Sequence, residues 1–271
     1  MRGISRESFA AARDRLEALL RAPSTDLVRL GSDLFGVTGV LAGSAGLRRA
    51  LTDPARTGEA KAQMITRLLD GKVGPDAVDL VAELARARWG SAGDLTDAVE
   101  ALGVEALLAQ AEKSGRLEAL EDELFRFART IAADVGLRDA FSTRTEGAGR
   151  KRELVARLLR DQAGAESLLL AEQAAAAPRG LRTERVLQRF VAAAASRRQQ
   201  LVAEVVSANP LTGAERDRLA AALQRIYGRA LQIHAEVDPA VVGGLRVQVG
   251  GETVDGTIAS RFEDARRRLA G

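Results

Sequence analysis

Leu27, Leu30, Leu34, Val37 and Leu41 recur at intervals of three or four residues. That spacing lines one stripe of an α-helix. Leu117, Leu120, Leu124, Phe127 and Ile131 repeat the stripe further along. Shorter apolar-periodic stretches follow each seam. They predict helices near 59–70, 76–88 and 94–112 after the first, and near 150–161, 165–177 and 182–204 after the second. Pro54, Pro75 and Pro178 mark breaks between them. Both stretches therefore read as antiparallel helical bundles with short connections.

The two stretches are copies of one another. Residues 27–69 align with 117–159 without a gap, and 13 of the 43 positions are identical, among them Phe35 with Phe125, Gly46-Leu47-Arg48 with Gly136-Leu137-Arg138, and Lys61 with Lys151. Chance in a chain this rich in Ala, Leu and Arg gives about four or five. An offset of 90 residues is longer than a solenoid unit of about 20–50. The repeat predicts duplication of a whole small domain.

At Leu201 the pattern changes. LVAEVV (201–206) is a β-branched run, broken by Asn209-Pro210. Thr212 and Glu215 have capping-box spacing, and Leu219, Leu223 and Ile226 stripe the helix that follows. Leu231, Ile233, Ala235 and Val237 alternate as a strand, and Leu245, Val247 and Val249 alternate as another. Gly250-Gly251 supplies a turn into a short strand at ETVD. Thr257 is placed to cap a last helix striped by Ile258, Phe262, Ala265 and Leu269. The order strand, helix, three strands, helix predicts a small α/β layer. The fold class is mainly α: two antiparallel helical bundles followed by a small α/β C-terminal domain. The expected divisions are 1–102, 103–205 and 206–271, the first strand starting as early as 201.

Composition supports this picture. Hydrophobic residues are 46%, charged residues 28% and aromatics 3%, the profile of a globular chain built from strong helix formers. Cysteine is absent, which excludes disulfides and thiolate metal sites. No apolar run reaches the ~18 residues of a membrane span. The segment MRGISRESFAAARDRL lacks the apolar core of a signal peptide. The net charge of +3 is a small difference between 40 basic and 37 acidic residues. The clusters Arg48-Arg49, Arg150-Lys151-Arg152, Arg197-Arg198 and Arg266-Arg267-Arg268 sit among acids and read as solvated helix faces.

Little in the chain can do chemistry. The one histidine, His234, falls on the polar side of its strand between Gln232 and Glu236 and reads as a surface residue. Asp238 and Asp255 stand beside Pro239 and Gly256, where turn and cap roles explain them. Neither a Walker-type phosphate loop nor a dinucleotide fingerprint occurs. Trp89, the only tryptophan, ends a helix at RARWG and reads as a packing anchor, with an interface anchor as the alternative.

Asp238, Val241, Val242, Gly243, Gly244, Leu245, Val247, Val249, Asp255, Gly256 and Ile258, with a closing amphipathic helix, make a string that resembles the C-terminal signature of the delta subunit of F-type ATP synthase, known in mitochondria as the oligomycin-sensitivity-conferring protein. VEALLAQAEKSGRLEALEDELFRF (104–127) is similar to the start of that family's helical domain. The resemblance covers roughly 103–271 and leaves residues 1–102 as an extra bundle. It implies a non-catalytic stator subunit without cofactor or metal. The bundle would bind N-terminal helices of alpha subunits on the catalytic head, and the α/β domain the ends of b subunits. The chain would lie at the cytoplasmic face of the bacterial plasma membrane, meeting the membrane only through the complex, and bind no nucleic acid. Leu107, Ala111, Leu187 and Phe190, on the first and fifth helices expected in the second bundle, are the candidate head contacts. The extra bundle is expected to lengthen the contact with b.

Two other classes fit less well. An Arg-rich DNA-binding regulator needs a helix-turn-helix with an accessible basic helix, and none is evident. A small-molecule enzyme needs clustered His, Asp or Glu, which the chain lacks.

Overall fold

A computed structural model of the chain describes residues 3–143, 147–199, 202–227, 231–238, 241, 244–249 and 252–255. It forms two compact units, Met1–Ala194 and Ala195–Gly271. The first is helical, and the sheet lies in the second.

Among the described residues, eleven helices account for the first unit: α1 (Ile4–Arg21), α2 (Leu27–Gly43), α3 (Ala45–Thr52), α4 (Gly58–Leu69), α5 (Pro75–Arg86), α6 (Ala92–Lys113), α7 (Leu117–Ala133), α8 (Val135–Ser142), α9 (Ala148–Leu158), α10 (Ala165–Ala176) and α11 (Thr183–Gln199), whose last turn crosses the division. The 90-residue offset maps α2 onto α7, α3 onto α8 and α5 onto α10 with identical ends, and α4 onto α9 within one residue. Hydrogen bonds repeat as well. Asp33 of α2 accepts from the Gly74 amide at 2.7 Å, and Glu123 of α7 from the Gly164 amide at 2.9 Å. Ser44 caps α3 through the Leu47 amide and Asp134 caps α8 through the Leu137 amide. Arg48 reaches back to the Ala42 carbonyl as Arg138 does to the Ala132 carbonyl.

One helix belongs to both copies. The offset carries α1 (4–21) onto 94–111, inside α6, so α6 closes the first copy and opens the second. It runs unbroken through 102–103, where the sequence suggested a boundary. Its residues are buried on nearly every side: Leu95, Val99, Leu102 and Ala106 join the core of the first copy, while Glu100 bonds to Gln173 of α10. A shared helix has no apolar-free side for a linker to follow.

Three elements escaped the pattern reading. The seam of α1 is narrow, with Ala12, Leu16 and Leu20 buried among exposed arginines. Helices α3 and α8 have eight residues each, too short for a 3.6-residue period to show. Their presence makes α11 the sixth helix of the second copy, not the fifth.

The copies differ in how tightly they close. In the first, Gly31 of α2 faces Gly103 of α6. A Cβ on Gly31 would stand 2.7 Å from Leu107 Cγ and 3.2 Å from the Gly103 carbonyl. A Cβ on Gly103 would stand 2.8 Å from the Phe35 ring. The matching positions in α7 and α11 are Glu121 and Ala193, which carry side chains and forbid that approach. Trp89 closes the end of the first copy, 9% exposed, its indole N–H donating to the Leu84 carbonyl at 2.8 Å.

The second unit holds β1 (Val202–Ser207), α12 (Gly213–Tyr227), β2 (Gln232–Val237), β3 (Leu245–Val249) and β4 (Glu252–Asp255). The sheet order is β2-β1-β3-β4, with β1 parallel to β2 and antiparallel to β3. The βαβ step gives the parallel pair. Ala203, Val205, Val247 and Val249 pack with Leu223 of α12 on one face. The capping box forms as its spacing predicts: the Thr212 amide and hydroxyl both donate to Glu215, and the Glu215 amide donates to the Thr212 hydroxyl. The expected last helix, 258–269, with Thr257, lies outside the described residues.

Candidate docking groove

The expected head contacts do not lie on the surface. Leu107, Ala111 and Leu187 are 0% exposed and Phe190 is 6% exposed. Leu107 is spent on α2, beneath Gly31. A helical stripe identifies an apolar face but not what covers it, and here the chain's own helices cover it.

The two helices carrying those residues do border a groove, through other faces. Ala101 and Val104 of α6 line one wall, and Val186, Phe190 and Ala193 of α11 the other, around a volume of about 460 Å³. Leu181, 43% exposed, stands at its mouth. Asp97, Glu100 and Glu105 rim the α6 side, and Arg179 and Arg189 the α11 side. Phe190 is thus the one expected contact that reaches it. α11 has no counterpart, toward α7, of the glycine seam that binds α6 to α2. An apolar floor with a charged rim suits an amphipathic helix.

Part of the groove's lining is an ion cluster. Arg179 gives one terminal nitrogen to Asp97 and the other to Glu100 of α6. The second oxygen of Glu100 accepts from Gln173 of α10 at 2.9 Å. No sequence pattern pointed to these residues, because they are 82, 79 and 73 positions from their partners.

Among the described residues of the first unit, two shifted ionisable groups stand apart from each other. Burial, chiefly, with Arg88 adding to it, lowers the Lys61 ammonium below its usual range, and its nitrogen donates to the Ala87 carbonyl at 2.8 Å. Burial raises Glu172, opposed by Arg152. These groups stand on different helices of different copies. Among the described residues, no three His, Asp or Glu side chains converge as a metal site.

In the second unit, His234 is exposed on β2, in register with Glu204 of β1, which pairs with Gln248 of β3. That row makes a polar outer face. Among the signature residues, Leu245, Val247 and Val249 form β3, with Val247 and Val249 buried. Gly244 takes φ +85°, the left-handed region that glycine tolerates. The Asp238 amide donates to the Ser207 carbonyl, and its own carbonyl accepts from the Val241 amide, ending β2 in a turn. Asp255 ends β4 opposite Arg246 in register. Gly243 and Gly256 lie outside the described residues.

A helical unit with an open groove, followed by a small sheet unit, defines a mainly α protein with a small α/β C-terminal domain. Comparison with known proteins specifies which one. Residues 104–269 match the family model described as the ATP synthase delta (OSCP) subunit. The chain is 52% identical over 269 residues to the ATP synthase subunit delta of Kineococcus radiotolerans, covering 99% of this chain and 98% of that one. It is 47% identical to that of Streptomyces coelicolor, covering 100% and 98%, and 44% identical to that of Beutenbergia cavernae, covering 100% of both. A chain of the Toxoplasma gondii mitochondrial ATP synthase hexamer aligns at 18% identity with a TM-score of 0.29, covering 62% of this chain and 95% of that one. The chain belongs to the ATP synthase delta (OSCP) subunit family. It is a non-catalytic subunit of the peripheral stalk of an F-type ATP synthase. The curated relatives match through residues 1–103 too, so they share the extra copy.

Proposed function

We propose that the groove between α6 and α11 receives an amphipathic N-terminal helix of an alpha subunit, and that the second unit grips the b subunits. The observation that carries this reading is the apolar floor of Ala101, Val104, Val186 and Phe190, open between α6 and α11 where their counterparts in the first copy, α1 and α6, pack against each other. The subunit then ties the catalytic head to the outer stalk against rotor torque. Proton flow is coupled to ATP synthesis through that tie. It acts at the cytoplasmic face of the bacterial plasma membrane; no single described helix is long and apolar enough to cross a membrane. The copies divide the work: the second offers the groove, and the first, bound through α6, extends the stator contact toward b. Residues 1–102, 103–205 and 206–271 remain the functional divisions under this reading.

The test uses the intact chain with Leu181→Asp and Arg189→Glu, both exposed at the groove's mouth. Titration against a catalytic head stripped of this subunit is expected to show at least tenfold weaker binding, with b affinity unchanged. ATP-driven proton pumping by stripped vesicles should recover with the native chain and not with the variant. Native head affinity in the variant would refute the groove as the contact.

A further inference from the structure

The turn that joins α10 to α11 has a backbone its sequence does not favour. The Leu181 amide donates to the Pro178 carbonyl at 3.0 Å, closing a four-residue turn. Its two central residues, Arg179 and Gly180, have φ of +46° and +84°. Such turns select Gly, Asn or Asp, and an arginine there is held against its preference. The matching residues of the first copy, Trp89 and Gly90, do not take positive φ. So the left-handed arginine is not inherited from the repeat. What holds it is the two-pronged pairing to Asp97 and Glu100, with Gln173 fixing Glu100 from α10. Those positions in the first copy are Trp89, Glu7, Ala10 and Glu83, which cannot build the cluster. Asp97, Glu100 and Arg179 all line the groove at the end where α11 starts.

We propose that Arg179 is the positioning residue of the docking groove. By fastening the α10–α11 turn to α6, it sets the spacing of α6 and α11 and so the width offered to a helix. Two-pronged guanidinium geometry fixes direction as well as distance, which a lysine cannot do. This inference rests on the reading that the groove takes the head's helix, and its test separates the two.

Arg179→Gly removes the pairing while suiting the left-handed backbone, so the chain is expected to keep its Tm. Arg179→Lys keeps the charge without the fork. In titrations of the full chain against the stripped head, the glycine variant is expected to bind at least tenfold more weakly and the lysine variant in between. Spin labels on Lys113→Cys and Gln188→Cys, introduced into a chain without cysteine, should report a broader α6–α11 distance distribution in the glycine variant. Native affinity and native distances in Arg179→Gly, beside weakened binding by the Leu181→Asp, Arg189→Glu chain, would overturn this inference and leave the groove standing. Native affinity in all variants would overturn both. Should Arg179→Gly lower Tm, the lysine variant decides. Restored Tm with affinity still weak supports positioning, and affinity that follows Tm in both variants overturns it.

Discussion

Adding one methyl group to Gly31 should act in the opposite direction from adding one to Gly36, five residues further along the same helix. A Cβ at Gly31 would meet Leu107 Cγ at 2.7 Å and the Gly103 carbonyl at 3.2 Å. Leu107 is fully buried and has no space to retreat into, so α2 and α6 must separate. Overpacking of this kind costs about 1–3 kcal/mol. The better helix propensity of alanine returns about 1 kcal/mol. Gly31→Ala should therefore destabilise by about 1 kcal/mol. Gly31→Val, with more volume and less propensity gain, should cost about 2–3 kcal/mol. At Gly36 a Cβ meets nothing within 4 Å, so Gly36→Ala should stabilise by about 0.5–1 kcal/mol. Urea denaturation followed by circular dichroism measures each difference as a change in midpoint at constant slope. If Gly31→Val proves as stable as the native chain, the glycine seam does not hold the first copy closed.

Leu187→Asp buries a carboxylate at a position with 0% exposure; calorimetry should show a loss of about 4 kcal/mol or more, or no folded first unit at all. A native melting curve would return Leu187 to the list of surface contacts. Removing residues 1–102 cuts α6 in half and strips the cover from Leu107. The remainder should aggregate or bind a hydrophobic dye; a monomer with a sharp transition would show that the second copy stands alone. Hydrogen bonding from Thr212 holds the Glu215 carboxyl below its usual value. A carboxyl depressed in the folded state stabilises above its unfolded pKa and loses that contribution as pH falls through the folded one. Amide exchange at the start of α12 should accelerate on acidification below the ordinary glutamate range, and Glu215→Gln should remove that acid dependence.

Much of this architecture was legible in residue order because it depends on neighbours along the chain. The seams of α2 and α7, the capping box of Thr212 and Glu215, and the alternation of Leu245, Val247 and Val249 are local. Their periods are set by helix and strand geometry alone. The duplication is likewise a property of the sequence, and it carried through to matching hydrogen bonds. The resemblance in the C-terminal string led to the family, because signature residues such as Gly244 are held by backbone conformation and need no tertiary partner to be recognised.

The candidate site was not legible in that way. A stripe of apolar residues states that a face is covered, not by what. Leu107 of α6 and Leu187 of α11 are both buried by the chain's own helices. The sharing of α6, the close pass of Gly31 over Gly103 and the pairing of Arg179 with Asp97 and Glu100 all join positions more than 70 residues apart. Such contacts depend on which helices meet after collapse. A pattern written in steps of two or 3.6 residues holds no record of them. Sequence alone determined most of the helices, the repeat and the family; only the tertiary structure decided which apolar faces were consumed within the chain and which border an open groove.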